Sequence, residues 1–468
     1  MATGALRAHR VRLAVVLALV LGTSGCAAAN AAWRAGPMGI AAEWTIRDHL
    51  MYGRAQQAWT AMGDKQVAPT DALLRHLYRG VISLHAGEYE QGAKSMDRAW
   101  DLVEDRYTKR VSTGAVSLVT SDAALPYYPL ATERLFIPYY GALNWLARNE
   151  FDEAAVEARR LAMLLQQDNG PKASKELTGA LRYITGVLFE VAGEREDARV
   201  AYRNAAALLG SLPGDTLPMG ADSGDVVVLI EDGFVGRPQP QTLGVYTDNN
   251  ELVALTTGRD ADRLVVANRV RERTYDPAFN RTQVGWLTYE VNWATFGDPT
   301  RSPVPLGVRT NPAEFPVLRA DVTESVASDF AAEVPAKLAR GIARAAVRYA
   351  AMRAADRAIS GAFKDDDDDD KKKGFKWGQF FFGLGMGALS VGSTVVDQPD
   401  LRAWQLLPDR ITIARMRLPA GEHPIEITHG DKSVLLGTVT VRPGRVAVMT
   451  YRWWPGPGIA NKQIAARR

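Results

Sequence analysis

The chain has 468 residues, of which 47% are hydrophobic and 23% are charged, and its formal net charge is +3. This is the composition of ordinary globular protein, and at about 150 residues per domain it predicts two or three domains. The small net charge excludes the usual kind of nucleic-acid-binding protein, whose basic residues make a strongly positive domain or stripe.

The N-terminal residues have the pattern of a secretory signal that ends in a cysteine. A basic stretch precedes an uncharged apolar run over residues 13–21, and four small residues then lead to Cys26. The run is too short to span a bilayer as a helix, which takes about 20 residues, so residues 1–25 are predicted to be a signal peptide. The segment resembles the bacterial lipobox, with Thr23 where that pattern prefers Leu.

Cys26 is the only cysteine of the chain. Exported proteins normally pair their cysteines in disulfides, and lipidation of Cys26, for example with palmitate, explains a single one. Two or three acyl chains would hold the protein firmly on a membrane. The residue after Cys26 is Ala27 and not an Asp. By the sorting rule of enteric bacteria, this predicts an outer-membrane lipoprotein that faces the periplasm. Residues 26–43 are predicted to be its lipidated N-terminus and tether. The alternative is an uncleaved signal with an incidental cysteine.

Residues 44–210 have apolar residues at helical spacing and predict an α-helical repeat domain. Three stretches within it align at small residues that flank a turn, and the turns fall at Gly87, Asn149 and Gly193. Gly and Asn tolerate the left-handed conformation that ends a helix. The pattern resembles the tetratricopeptide repeat, although its spacing is irregular where a strict array repeats about every 34 residues. The alternative is an unrelated helical bundle.

Helical repeats of this type bind proteins or peptides along a groove, and few of them catalyse reactions. Other proteins or peptides of the cell envelope are therefore the expected partners. The residues predicted to contact them stand at aromatic and turn-following repeat positions. They are Tyr89, Tyr140, Trp145, Phe151 and Arg195.

Three stretches of the chain are similar to one known family. They run from Tyr139 to Leu161, from Asp400 to Pro408 and from Ala414 to Gly421. The family is a widespread group of uncharacterised proteobacterial lipoproteins, and the resemblance covers most of the mature chain. It implies a helical N-terminal region of tetratricopeptide-repeat type and a C-terminal β domain, and it implies no activity.

Residues 225–320 are predicted to be a β-rich middle region. Val226 to Ile230 is a short apolar run and predicts a buried strand, and Val284 to Trp293 predicts a second strand. A helix is predicted from Asp321, because a capping residue there precedes apolar residues that recur every four positions from Val322 to Ile342.

Another face of this helix carries Arg340, Arg344 and Arg348. These three residues have two interpretations. They are a binding site for an anionic group, which is a lipid headgroup or an acidic partner, or they form a solvated helix face in which arginine is present as a good helix former. The sequence leaves both interpretations open, and the second is the one we favour.

Residues 321–396 are predicted to form a helical hairpin. Its tip over residues 364–374 includes six consecutive aspartates at 365–370, and like charges in a row repel each other and stay disordered. Loose cation binding by this run is the alternative. Residues 377–396 carry no charge, which permits either a helix packed on its neighbour or insertion into a membrane.

Residues 400–455 contain four strand-like runs separated by turns rich in Gly and Pro. They predict a small antiparallel β-sandwich and are similar to prealbumin-like accessory domains, and residues 456–468 are predicted to be a flexible tail. The expected fold is therefore an α+β multidomain chain. It comprises a helical repeat domain, a mixed α/β middle with a long helical hairpin, and a terminal sandwich.

The sequence contains no catalytic, cofactor-binding or metal-binding motif. No cofactor and no metal are therefore predicted, with a weak metal site at His423 and His429 as the alternative. Two functions are compatible with this pattern, and we favour a non-catalytic, lipid-anchored periplasmic scaffold or adaptor. The other is a cell-wall or glycan-acting enzyme, or an accessory activator of peptidoglycan synthesis, with an acidic site among Glu231, Asp232 and Glu290.

Overall fold

The computed structural model describes most of the chain. Its described ranges are 40–63, 69–109, 125–166, 173–214, 216, 220–248, 251–257, 287–340, 400–456 and 464–466. In residues 40–44, 106–109, 242–248, 251–257, 287–293 and 464–466 only the backbone is described. Several predicted features lie outside these ranges: the signal peptide, Cys26, Arg344, Arg348, the acidic run at 365–370 and residues 377–396.

Helices form the first half of the described chain. They are α1 (Ile40–Met51), α2 (Ala55–Met62), α3 (Ala72–Ala86), α4 (Tyr89–Lys109), α5 (Ala131–Ala147), α6 (Phe151–Gln166), α7 (Lys175–Ala192) and α8 (Arg195–Leu209), with a 3-10 turn at Pro69–Asp71. A further helix, α9, covers residues 322–340. From α3 to α8 the helices pair as the hairpins α3–α4, α5–α6 and α7–α8, and each helix packs against the next one in the chain.

The turns of the three hairpins share one backbone geometry. Gly87, Asn149 and Gly193 all have positive φ, at 86°, 60° and 89°. In the first hairpin the N–H of Glu88 donates a hydrogen bond of 2.9 Å to the carbonyl of Ser83, and the other two turns repeat this bond. The bond satisfies a carbonyl that the helix end would otherwise leave free. The predicted positions of the turns are confirmed.

Small residues allow the two helices of a hairpin to approach closely. A Cβ atom added to Gly186 of α7 would lie 2.6 Å from the ring of Tyr202 on α8. One added to Gly80 of α3 would lie 1.8 Å from the flexible side chain of Met96 on α4. Both distances are shorter than any normal van der Waals contact, so a larger residue at either position requires the partner to move.

The two helices of each hairpin differ in burial. The first helices, α3, α5 and α7, are buried on nearly every side, whereas the second helices, α4, α6 and α8, each expose one face. We call the first set the inner helices and the second set the outer helices. The inner helices are buried because they lie between the outer helices and a β-sheet.

Strands form most of the second half. They are β1 (Ser223–Asp232), β2 (Pro238–Asp248), β3 (Glu251–Thr257), β4 (Leu287–Phe296), β5 (Leu306–Thr310), β6 (Ala313–Glu314), β7 (Val317–Asp321), β8 (Arg410–Pro419), β9 (Gly421–His429), β10 (Lys432–Val441), β11 (Val446–Trp453) and β12 (Ile464–Ala466). One sheet has the order β12-β11-β1-β8-β7, a second β10-β9-β5-β6 and a third β3-β2-β4.

Strand β1 is buried on both faces. Val226, Val228 and Ile230 belong to the core between the first and second sheets, while Val227 and Leu229 belong to the core between the first sheet and the inner helices. Successive side chains of a strand point to opposite faces, so a strand covered on both sides must be apolar throughout. The predicted buried strand is confirmed, and it is the middle layer of a helix–sheet–sheet stack.

The C-terminal strands do not form a sandwich of their own, which corrects the prediction for residues 400–455. All four predicted strands exist as β8 to β11, but β1 lies between β8 and β11. It pairs antiparallel with β8 and parallel with β11, so the sheet is mixed and not antiparallel. The residue pattern of a strand indicates which of its faces are buried but not which strand it pairs with. For that reason β1 was predicted in the middle region, and β8 to β11 were predicted in a separate sandwich.

Helix α9 begins as predicted. The Asp321 carboxylate accepts a hydrogen bond of 2.8 Å from the N–H of Glu324, which caps the helix. Val322, Val326 and Phe330 form its buried stripe, and Arg340 is half-buried on it. Within the described ranges no helix is both long and apolar enough to cross a bilayer.

Side chains of α9 also hold the starts of two inner helices. The Asp329 carboxylate accepts a hydrogen bond of 2.6 Å from the N–H of Thr132 at the start of α5. The Ser325 hydroxyl accepts one of 2.9 Å from the N–H of Ser174 at the start of α7. The first N–H groups of a helix have no partner within the helix, so these bonds fasten α9 to the hairpins.

Candidate functional site

A buried network of charges lies where β8 meets α7. The Arg415 side chain is fully buried, and its guanidinium donates to both carboxylate oxygens of Glu190 at 2.9 and 3.1 Å. It also donates to the hydroxyl of Tyr202 at 2.9 Å and to the carboxylate of Asp225. Burial lowers the pKa of Arg415, but these anionic and phenolic partners outweigh it and raise that pKa above its usual range.

A second arginine completes the network. Arg417 lies two positions along β8 and so points to the same face as Arg415. Its guanidinium donates to Asp225 at 2.8 Å and to the carbonyl of Thr216 at 3.0 Å. Two carboxylates and two arginines therefore balance one another, which is the condition under which charges can be buried between a helix and a sheet.

A cleft of about 270 Å³ opens beside this network. We call it the α7–β11 cleft, and its lining residues are Glu190, Val191, Gly193, Arg195, Gly444, Arg445 and Val446. Arg195 is the one predicted partner-contacting residue that lines it. The side chains of Arg195 and Arg445 are exposed, and neither has an ion-pair partner among the residues that the structure describes.

A second buried network surrounds Glu231 at the end of β1. Arg452 of β11 donates to the Glu231 carboxylate at 2.9 Å and to the Tyr140 hydroxyl at 3.2 Å. The Nε2 atom of His85 lies 4.0 Å from the same carboxylate. Burial, together with the charge of Arg452, lowers the pKa of His85 to about 3, so the imidazole is neutral at pH 7.

The predicted acidic site is not assembled around these residues. Glu231 and Asp232 are neighbours on a strand and point to opposite faces: Glu231 pairs with Arg452, while Asp232 accepts a hydrogen bond of 2.8 Å from the N–H of Ser302. The cavity beside Glu231 is about 10 Å³, the room of one water molecule. Glu290 lies on β4, where only the backbone is described. Glu231 and Asp232 therefore do not share a cleft.

A third set of contacts attaches residues 400–409 to the helices. Arg402 pairs with Asp71, just before α3, at 2.8 Å and also with Asp400. The N–H of Trp404 donates to the carboxylate of Glu133 on α5 at 2.8 Å. This segment therefore fills the space between the inner helices and the sheet. In the sequence these residues belong to the predicted sandwich and to one of the stretches that resemble the lipoprotein family, and neither pattern indicates these contacts.

The predicted partner-contacting residues do not lie on one surface. Tyr140 is fully buried, with its ring 5.6 Å from that of Trp404, so its prediction as a surface contact is wrong. Tyr140 lies on an inner helix, whose burial the sequence did not reveal because the covering segment is far away in the chain. Tyr89, Trp145 and Phe151 are half-buried, and Arg195 is exposed.

No family model, no curated protein and no solved structure matches the chain. The resemblance to proteobacterial lipoproteins therefore stays a prediction. Two of the stretches that carry it meet in the structure, because Tyr140 of the first packs on Trp404 of the second. Both stretches therefore contribute residues to the junction between the inner helices and the sheet.

The two histidines of the alternative metal site lie apart. His423 and His429 are six positions apart on the extended strand β9, which separates them by about 20 Å. The His429 ring stacks on Trp453, with 6.1 Å between the ring centroids, and His423 contacts the carbonyl of Pro419. Over the part of the chain that the structure covers, no three His, Cys, Asp or Glu side chains are placed to hold a metal ion.

Proposed function

We propose that the chain is a lipid-anchored adaptor of the bacterial cell envelope. In this proposal Cys26 tethers it to the outer membrane on the periplasmic side, and its helical hairpins, which are of tetratricopeptide-repeat type, bind protein partners without catalysing a reaction. The observation that carries the proposal is the set of three hairpins with the same turn, stacked in chain order on a sheet. Repeats of this kind serve mainly as binding surfaces.

The proposed contact surface is the outer helices and not a groove. Solenoid repeats commonly bind along a concave face, but in this chain the inner helices are covered by the sheet and by residues 400–409. The outer helices instead carry exposed apolar side chains. Val156 and Met163 on α6 are 40% and 44% exposed, and Val200 on α8 is 48% exposed. Single exposed apolar residues are ordinary on a protein surface and only a continuous patch marks a binding site, so the proposal depends on the position of these residues on the repeated outer helices and not on their exposure alone.

The anchor is tested by metabolic labelling of cells with a palmitate analogue. The wild-type protein is expected to become labelled and to fractionate with membranes, whereas the Cys26→Ala variant should remain unlabelled. Equal labelling of the two proteins would refute the lipid anchor. It would not bear on the proposed binding surface.

The binding surface is tested by crosslinking in intact cells, followed by purification and mass spectrometry. A variant with Met163→Glu and Val200→Glu places two charges on the outer helices. A matched control with Val434→Glu and Leu435→Glu places two charges on β10, where the native side chains are 56% and 60% exposed. The first variant is expected to lose a partner that the wild type and the control both retain. The same partners in all three proteins, or none in the wild type, would refute the adaptor.

A further inference from the structure

Two turns border the α7–β11 cleft. One is the hairpin turn at Gly193, whose φ of 89° ends α7 and places Arg195 at the start of α8. The other leads into β11, where the carbonyl of Arg445 accepts a hydrogen bond of 3.0 Å from the N–H of Asp225 on β1. Arg195 therefore comes from the helical part of the cleft lining and Arg445 from the turn that leads into the sheet.

Among the described residues, the charge of the cleft lining is positive. Glu190 is the one acidic residue among the described lining, and its two carboxylate oxygens accept hydrogen bonds from Arg415 and Tyr202. The network beneath the cleft is electrically balanced, so the charges of Arg195 and Arg445 are in excess over the described part of the chain. Two guanidinium groups without a carboxylate partner there, beside a partly enclosed space, attract an anion.

The shape of the cleft limits what that anion can be. A volume of about 270 Å³ is just below the range of small-molecule sites, which is about 300–1,000 Å³. A cleft of this size takes only a short part of a larger partner. Val191 and Val446 are largely buried, with about 5% of each exposed, and they give the cleft an apolar wall. Free phosphate makes no use of such a wall, whereas the methylene groups of a glutamate side chain pack against it.

We propose that the α7–β11 cleft binds an acidic segment of a peptide through Arg195 and Arg445. The inference rests on the proposed function, since it assigns the chemistry that one part of a protein partner presents to this chain. Guanidinium groups suit the task, because their planar donors form paired hydrogen bonds with a carboxylate. The outer helices supply apolar contact, and the cleft adds charge selectivity at the end of the last hairpin.

The test measures fluorescence anisotropy of a labelled hexaglutamate peptide titrated with the purified full-length protein. A variant with Arg195→Gln and Arg445→Gln removes the two cleft charges. A matched control with Arg203→Gln and Arg442→Gln removes two exposed arginines from α8 and from the start of the same turn, outside the lining. The cleft variant is expected to bind at least about tenfold more weakly, since charge-assisted hydrogen bonds are lost, and the control should stay within about twofold of the wild type.

Three outcomes overturn the inference. Equal weakening in both variants means that the peptide responds only to overall charge. Equally tight binding of a hexaglutamine peptide removes the acidic requirement. Displacement of the peptide by inorganic phosphate at equal concentration identifies a phosphate site. The crosslinking experiment on Met163 and Val200 does not depend on the cleft, so the adaptor can stand when the cleft proposal fails.

Discussion

Replacement of Arg415 by methionine tests how the helices are joined to the sheet. The substitution keeps the length of the side chain but removes every hydrogen bond to Glu190, Tyr202 and Asp225. Asp225 retains Arg417 as a partner, whereas Glu190 keeps only the Tyr202 hydroxyl. One carboxylate is therefore left buried without a compensating charge.

The expected loss of stability at pH 7 is about 3–5 kcal/mol, the usual cost of removing one partner from a buried ion pair. It stays within that range because only one of the two carboxylates is stranded. Since whole proteins are stable by about 5–15 kcal/mol, the variant should be folded but close to its limit. The free energy of unfolding is measured by urea denaturation of the two full-length proteins.

A second substitution distinguishes a stranded charge from lost packing. Glu190→Gln in the Arg415→Met background removes the carboxylate that the first substitution leaves without an arginine, so it should restore part of the stability. A loss below about 1 kcal/mol for Arg415→Met, the value of a surface pair, or no recovery in the double variant, would refute this account of the junction.

Three further predictions concern the same junction and the hairpin beside it. His85 is neutral when folded because its pKa is lowered to about 3, whereas in the unfolded chain it takes up a proton below its ordinary pKa of 6.5. As the pH is lowered from 6 to 5, the free energy of unfolding of the wild type should therefore decrease more steeply than that of His85→Gln, by up to about 1.4 kcal/mol per pH unit. Equal decreases for the two proteins in urea denaturation would contradict this. Gly186→Val should cost about 1–3 kcal/mol, because its Cβ would lie 2.6 Å from the Tyr202 ring; an unchanged melting temperature would show that the hairpin adjusts freely. Trp404→Ala should cost about 3–5 kcal/mol, because the indole is fully buried against Tyr140, and the near-ultraviolet circular dichroism should weaken with it; a loss typical of a surface residue would place Trp404 outside the core.

Local features of the fold could be predicted from the sequence. The hairpin turns at Gly87, Asn149 and Gly193, the start of α9 and the buried strand β1 all depend on residues within a few positions of one another. Turn residues act through their own φ angles, and a strand with apolar residues at every position must be covered on both faces. Such local constraints can be recognised directly from the residue types and their spacing.

The junction could not be predicted, because its partners are far apart in the chain. Arg415 and Glu190 are separated by 225 positions, and Arg452 and Glu231 by 221. A signal was nevertheless present, since both arginines lie in strands that are otherwise largely apolar. Arginines at such positions require buried carboxylates elsewhere, but nothing in their spacing identifies which carboxylates. The false prediction for Tyr140 has the same origin, because its cover is a segment more than two hundred residues away.

The central place of β1 has a consequence for how the chain acquires its structure. The helical hairpins contain mainly local contacts and can form as soon as their residues have been synthesised, whereas β1 waits for β8 and β11. Until β11 is complete, one edge of β1 offers unpaired N–H and C=O groups flanked by valines, which is a template for aggregation. Chains that stop before residue 446 should therefore keep their helices and yet precipitate. A strand made near the end of synthesis, β11, therefore protects a strand made more than two hundred residues earlier.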